Sequence, residues 1–283
     1  MASNAMNTTQ LACWIPQYQS AKALSALEKK MVIQKCVWTD WRQYLKFGDT
    51  LDIPIVPNLG TADAVNLNAD LSLNAQTTTR KQIVVNQWNY KAVGVGYREQ
   101  MQNYPDYLTS VTEKCTYSVA LAIDTYLASL FVALTAGNVD AAGSAITDDN
   151  LITMREKLDL ADVDKEDRYF VIDPETTSDM FKLDKVLRDD YVSKGAVEAV
   201  SGFIGRSVYG CKVFESNNLT LHDTNYHWAA MFQKEAIGII LQKSPTVRYF
   251  DWPEKHTNVV ESGTIFGAAV LRPTAGSLLN TRS

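Results

Sequence analysis

Histidine and cysteine are scarce in this chain, three of one and four of the other among 283 residues, so metal and thiol chemistry have little to work with. Cys13, Cys36, Cys115 and Cys211 stand far apart with no CxxC pair. That spacing excludes a zinc ribbon and a disulfide framework and leaves reduced thiols. His222 and His227 flank Asp223 in "HDTNYH", but this interval does not put both rings on one side of a strand and brings no third ligand, so a polar loop is expected there. "DVDKED", residues 162–167, lacks the turn glycine and the distant bidentate Glu of a calcium loop, and is expected to be solvated. The glycine-rich stretches at 94–96 and 202–210 contain neither GxGxxG opening a helix nor a phosphate-loop lysine, and GxSxG is absent. No catalytic, cofactor-binding or metal residue is therefore expected. Cationic excess is missing too: a net charge of −5 argues against a protein that reads nucleic-acid sequence. No apolar run was found to reach the roughly 18 residues of a membrane span, and the N-terminus lacks the basic-then-apolar order of a signal peptide, so a soluble, unsecreted protein is expected. Residues 3–6, "SNAM", resemble a cloning scar, and nothing functional is drawn from residues 1–6.

What is present is a large apolar fraction, 46%, arranged in mixed α+β order. Residues 20–41 carry Leu24, Leu27, Met31 and Val32 at helical spacing with lysines between them, a short amphipathic helix in an irregular arm. Positive charge gathers here: residues 1–46 hold a net +4 and the remainder −9, which predicts a solvated helix face. "GDTLDIPIVP" then alternates Leu51, Ile53 and Ile55 with Asp52 and Pro54, as a half-buried strand does. Its prolines and the polar run after it interrupt ordinary sheet extension. "KQIVVNQWNYKAVGVGYRE" is expected to be the return strand of a long hairpin. Residues 105–134 place Leu108, Val111, Cys115, Val119, Ile123, Tyr126, Leu130 and Leu134 three or four apart, predicting one long helix with Pro105 and Asp106 at its start and Gly137 as its stop. Thr147 is set to cap a second helix bearing Leu151, Met154 and Leu158. "RYFVIDP" predicts a buried strand ended by Pro174, "ETTSDMFKLDKVLRDDYV" a helix, and "GFIGRSVYGCKVFESNNL" a strand, glycine turn and strand. "HWAAMFQKEAIGIILQ" is apolar without a clear period, and the remainder is expected to be strands ending at Pro273.

This order of parts resembles the major capsid proteins of tailed double-stranded DNA bacteriophages, the Hong Kong ninety-seven-like fold shared with encapsulin shells. "GDTLDIPIVP" is similar to the start of that family's extended E-loop, and "PDYLTSVTEKCTYSVALAIDTYLASL" to its spine helix. "RYFVIDP", "GFIGRSVYGCKVFESNNL" and "TIFGAAVLRP" resemble two axial-domain pieces and a closing strand. The resemblance implies an N-terminal arm over 1–47, an E-loop over 48–97, a peripheral domain from 98–142 and 244–283, and an axial domain over 143–243. It implies inter-subunit contacts through Leu51, Ile53, Ile55, Leu67 and Leu71 of the E-loop, and through Gly202, Gly205 and Gly210 at axial turns, with Lys29, Lys30 and Lys35 on an interior-facing basic arm. Implied partners are further copies in pentamers and hexamers, a separate scaffolding protein (some 47 residues before the E-loop being too few for a fused one), a portal protein, and packaged DNA held without sequence reading; no membrane is implied. Assembly would take place in the host cytoplasm and the product would be the virion shell. An encapsulin-type cargo shell is the alternative, and a soluble enzyme with a site at His222, His227 and Asp223 a more distant one. Some relatives form Lys–Asn cross-links; Lys81 or Lys91 are the residues that would serve, although a lysine on a strand is ordinarily just solvated.

Overall fold

The structure, a computed structural model, describes residues 31–40, 45, 47–56, 77–102, 107–140, 144–183, 203–219, 221–223 and 226–282. In the first described stretch a single 3-10 turn, Ile33–Lys35, places Ile33, Cys36 and Val37 in the main core, and Val32 before it is also buried. Of the helix expected over residues 20–41, residues 20–30 and 41 lie outside the described residues, and from Val32 on there is no solvated helix face: four apolar residues in six cannot all face water, and the chain tucks them inward. Trp38 then bridges to Gly238 in parallel.

Strand β1 (Thr50–Ile55) pairs antiparallel with β2 (Thr79–Val84), Leu51 opposite Ile83 and Ile53 opposite Lys81. The long return strand expected from the sequence is two strands. β2 ends at Val84, and β3 (Gln87–Gly96) joins a different sheet. The break falls at Val85 and Asn86 because the chain there crosses over Gly267: a Cβ on that glycine would lie 2.3 Å from the Val84 carbonyl oxygen and 2.7 Å from Val85 Cα. Only a residue without a side chain allows so close an approach.

After α1 (Tyr97–Gln102) comes α2 (Tyr107–Ser129), extended by a 3-10 turn, Leu130–Ala133. Cys115, Val119 and Ile123 are buried along one side as the periodicity predicts, but farther on the buried side passes to Leu127 and Phe131, leaving the expected Tyr126 and Leu130 half-buried, before Leu134 is buried again. Pro105 and Asp106 lie outside the described residues. Contrary to the expectation from the sequence, Thr109–Ala133 is apolar and long enough to span a bilayer by composition. Here it lies on a sheet formed in the order β10-β11-β3 from β10 (Ile237–Trp252), β11 (Thr257–Val270) and β3, all antiparallel. Tyr126 meets Phe266 edge-on at 5.5 Å beneath the helix.

The larger sheet runs β4-β12-β9-β5-β7-β6, with β8 also paired to β9. Its strands are β4 (Asn138–Asp140), β5 (Arg168–Ile172), β6 (Phe203–Val208), β7 (Cys211–Glu215), β8 (Leu221–Asp223), β9 (Tyr226–Gln233) and β12 (Gly276–Arg282). β5 is buried at every position. Tyr169 and Val171 enter the core shared with α2, whereas Phe170 and Ile172 enter a second core. There they meet Leu151, Met154 and Leu158 of α3 (Asp148–Leu160). A strand covered on both faces reads as a continuous apolar run. Thr147 caps α3 by accepting the Asn150 N–H at 3.3 Å, and Asp173 caps α4 (Pro174–Met180), with Pro174 in its first turn. Pro174 thus opens a helix as well as closing a strand.

Two further expectations change. The undecided apolar stretch is strand β9, a 3-10 turn at Lys234–Ala236, and the first half of β10. The chain does not stop forming structure at Pro273: that residue opens a short turn, and β12 then inserts between β4 and β9. By sheet membership, 276–282 goes with the elements placed in the axial range, and 237–243 with those placed in the peripheral range.

Candidate assembly surface

The hairpin β1–β2 stands on a small core of Leu45, Ile83, Ile240 and Leu271, against which Leu51 and Ile53 pack, half-buried. The apolar side of β1 thus has cover within its own chain, which the sequence left to another copy alone. Gln242 donates to the Gly48 carbonyl at 2.9 Å and Val85 N–H to the Asp49 carbonyl at 2.7 Å, fixing the base of the hairpin. Arg80 pairs with Asp52 at 3.2 Å in full view of solvent, a contact worth little to stability. Toward the tip Ile55 is half-buried and Val56 is 72% exposed. Leu67 and Leu71 lie outside the described residues.

The sheet β10-β11-β3 presents one face to α2; its other face is crossed by Val84 and Val85 at Gly267 and exposes aromatic side chains beyond that crossing. Strand alternation decides which side chains go where. Lys91 and Val93 of β3 line a cleft of about 310 Å³ against Val111, Lys114 and Cys115 of α2. Trp88 and Tyr90, of opposite parity, point away from the helix and are 75% and 67% exposed. Through the register Gly94↔Val259↔Phe250, and Trp252 two residues on, Phe250 and Trp252 of β10 share that outer face. Both are more than a third exposed. Aromatics gathered on one open sheet face are unusual for a surface meant to stay in water. Sequence analysis took these residues only as strand formers; their even-numbered alternation was the available signal. β3 and β10 are the outer strands of this sheet, the start of β10 being bridged by Trp38, and an outer strand can accept a further one.

At the far side of the larger sheet, β6 and β7 are joined by Tyr209 and Gly210, both at positive φ, 51° and 87°. This is a two-residue hairpin turn of the kind that matches strand twist. Gly210 is exposed with open space around it, while the Tyr209 hydroxyl is bonded to Asp148, and burial together with that carboxylate pushes the phenol up to about 12. Gly205 lies within β6, and Gly202 falls outside the described residues. Of the basic arm residues, Lys35 is exposed beside the buried 3-10 turn; Lys29 and Lys30 lie outside the described residues. Lys81 and Lys91 are exposed on β2 and β3.

His222 is on β8 and His227 on β9, where His227 pairs with Leu221. Among the described residues no group of three His, Cys, Asp or Glu could hold a metal. The acidic loop at 162–167 surrounds an arginine: Arg168, 3% exposed, donates to the Asp164 carbonyl at 2.8 Å and to Asp159 Oδ1 at 2.7 Å. The hydrogen bond from Arg168 holds the Asp159 carboxyl below its usual range. Burial pushes the Cys36 thiol up to about 12 and Cys211 to about 11, so these are packing residues rather than nucleophiles.

Comparison with known proteins agrees with this architecture. The chain is similar to a structure from Mycobacterium phage Che8, at 21% identity and a TM-score of 0.76, over 94% of this chain and 97% of that one. The capsid of Cyanophage P-SCSP1u is similar at 17% identity and a TM-score of 0.78, over 99% and 96%. The capsid of a native GTA particle is similar at 14% identity and a TM-score of 0.71, over the full length of both chains. At such identities these likenesses speak for the fold. No curated protein sequence matches. The profile of the phage capsid protein family matches residues 78–277, from β2 to β12, and the chain belongs to that family, as a structural major capsid protein of the tailed-phage fold.

Proposed function

We propose that many copies of this subunit close into an icosahedral phage head, with the hairpin of one copy laid over the next. The observation that carries the arrangement is the pairing of two features: a hairpin, β1–β2, that becomes exposed toward Val56, and a sheet face on which Trp88 and Tyr90 are exposed. Residues 48–97 are the E-loop in this account. The segment beyond Val56 reaches a neighbour's peripheral part, made of α2 with the β10-β11-β3 sheet, and β-pairing at an edge supplies affinity. The larger sheet is the axial part, its Tyr209–Gly210 tip approaching copies around five-fold and six-fold axes. Head-to-tail contacts of this sort close into rings and shells. The role in the virion is structural, without a reaction of its own.

Charge divides the contact with packaged DNA between body and arm. An acidic body confines packaged DNA without holding it by phosphate contacts, and the basic segment containing Lys29, Lys30 and Lys35 is the part that touches it. A separate scaffolding protein guides assembly in the host cytoplasm, and a portal protein occupies one vertex. The encapsulin alternative is not favoured, because the matched family is that of phage capsids. Sedimentation of protein co-expressed with its scaffold tests the proposal: shells are expected, and a species that remains monomeric with scaffold supplied would overturn it.

A further inference from the structure

Between Lys114 and Asp140 the chain carries one charged residue, Asp124, in the middle of an apolar run. It is 1% exposed. A carboxylate so placed in a helix is costly unless donors surround it. They come from two other parts of the chain. The Gln34 N–H donates to Oδ1 at 3.2 Å, and the Val32 N–H approaches Oδ2 at 3.5 Å. Asn218, in the loop after β7, donates through Nδ2 to Oδ2 at 2.9 Å. Burial pushes the carboxyl up, and the bonds from Asn218 and from the backbone of residues 32–34 oppose that shift.

The backbone donors are the opening amides of the 3-10 turn, which have no partners within it. Asp124 therefore acts as an N-terminal cap supplied from another element. Four residues later the chain is held independently: Trp38 N–H donates to the Ile237 carbonyl and Ile239 N–H to the Trp38 carbonyl, both at 3.0 Å. The chain is thus held at two fixed points, residues 32–34 on α2 and Trp38 on β10.

We propose that Asp124 is a latch that holds the root of the N-terminal segment on the long helix and so sets where the chain before Val32 leaves the subunit. It is a positioning residue for assembly, and the latch itself is a property of the single subunit. Only its effect on shells rests on the function proposed above.

Hydrogen exchange on the full chain, unassembled and folded, tests the latch. Asp124→Asn keeps the shape but turns an amide against the donors and leaves one accepting oxygen. Exchange at Val32 and Gln34 is expected to quicken by about tenfold or more, while Trp38, Ile239 and the amides of β5 and β9 keep their wild-type protection. Asn218→Ala spares the carboxylate, and Val32 and Gln34 are expected to stay within about threefold of wild type. Unchanged exchange at Val32 and Gln34 in Asp124→Asn would overturn the proposal. So would a loss of protection spread evenly over β5 and β9 in both variants, which would make Asp124 a general core group. Co-expression with scaffold supplies the second readout: Asp124→Asn is expected to give fewer closed shells, and a wild-type yield despite an opened latch would refute its role in positioning the arm.

Discussion

At Gly267 the approach of the Val84–Val85 backbone leaves no room for a methyl group. Gly267→Ala is expected to destabilise the subunit by about 1–3 kcal/mol through overpacking, read as a lower denaturation midpoint; an unchanged midpoint would mean that the crossing relaxes freely. On the long helix Ile123 is fully buried, and Ile123→Ala is expected to cost about 2–5 kcal/mol in the same assay. The face of that helix was legible in the sequence because its apolar residues recur every three or four positions. Asp124 was passed over, although a lone charge in an apolar helix is itself a signal that donors lie nearby in space. Arg168 and Asp159 give a pH dependence of definite sign. The folded-state carboxyl of Asp159 titrates below its ordinary 3.8. Its contribution is therefore present above that value and is lost as pH falls through the lower, folded pKa. Arg168→Met should shrink this acid limb in the stability profile, Arg155 still lying 3.6 Å from Asp159, and an identical acid limb in the variant would place its origin elsewhere.

Among elements, the hairpin β1–β2 was readable at its first strand and misread at its second. Period-two alternation gave β1, whereas 79–96 offers β-branched and aromatic residues without a break. What divides it is Gly267, almost two hundred residues away, and no local pattern reports such a crossing. The same limit explains β12: short strands acquire their sheet from partners distant in sequence. The strand character of Trp88 and Tyr90 was legible but their exposure was not, since aromatics favour strands whether they are covered or open. Deleting residues 57–76 is expected to leave a folded subunit, because the hairpin base keeps its contacts with Ile240 and Leu271, but shell yield should fall sharply. Normal shells from the deletion would refute the overlap of hairpin and neighbour.

For the whole molecule, the order arm, hairpin, long helix, sheet and closing strands was enough to suggest the fold, because element order survives where side chains diverge. Surface function was less legible. Contacts between copies depend on which strand face stays open, and that is settled only when α2 covers the other side of the β10-β11-β3 sheet. In the proposed shell this exposed aromatic face, with the hairpin, joins one copy to the next. A cryo-electron-microscopy map of particles from the co-expressed protein tests it most directly: Trp88 and Tyr90 should lie beneath the hairpin of an adjacent copy, whereas particles in which both rings face solvent on the finished shell would contradict it.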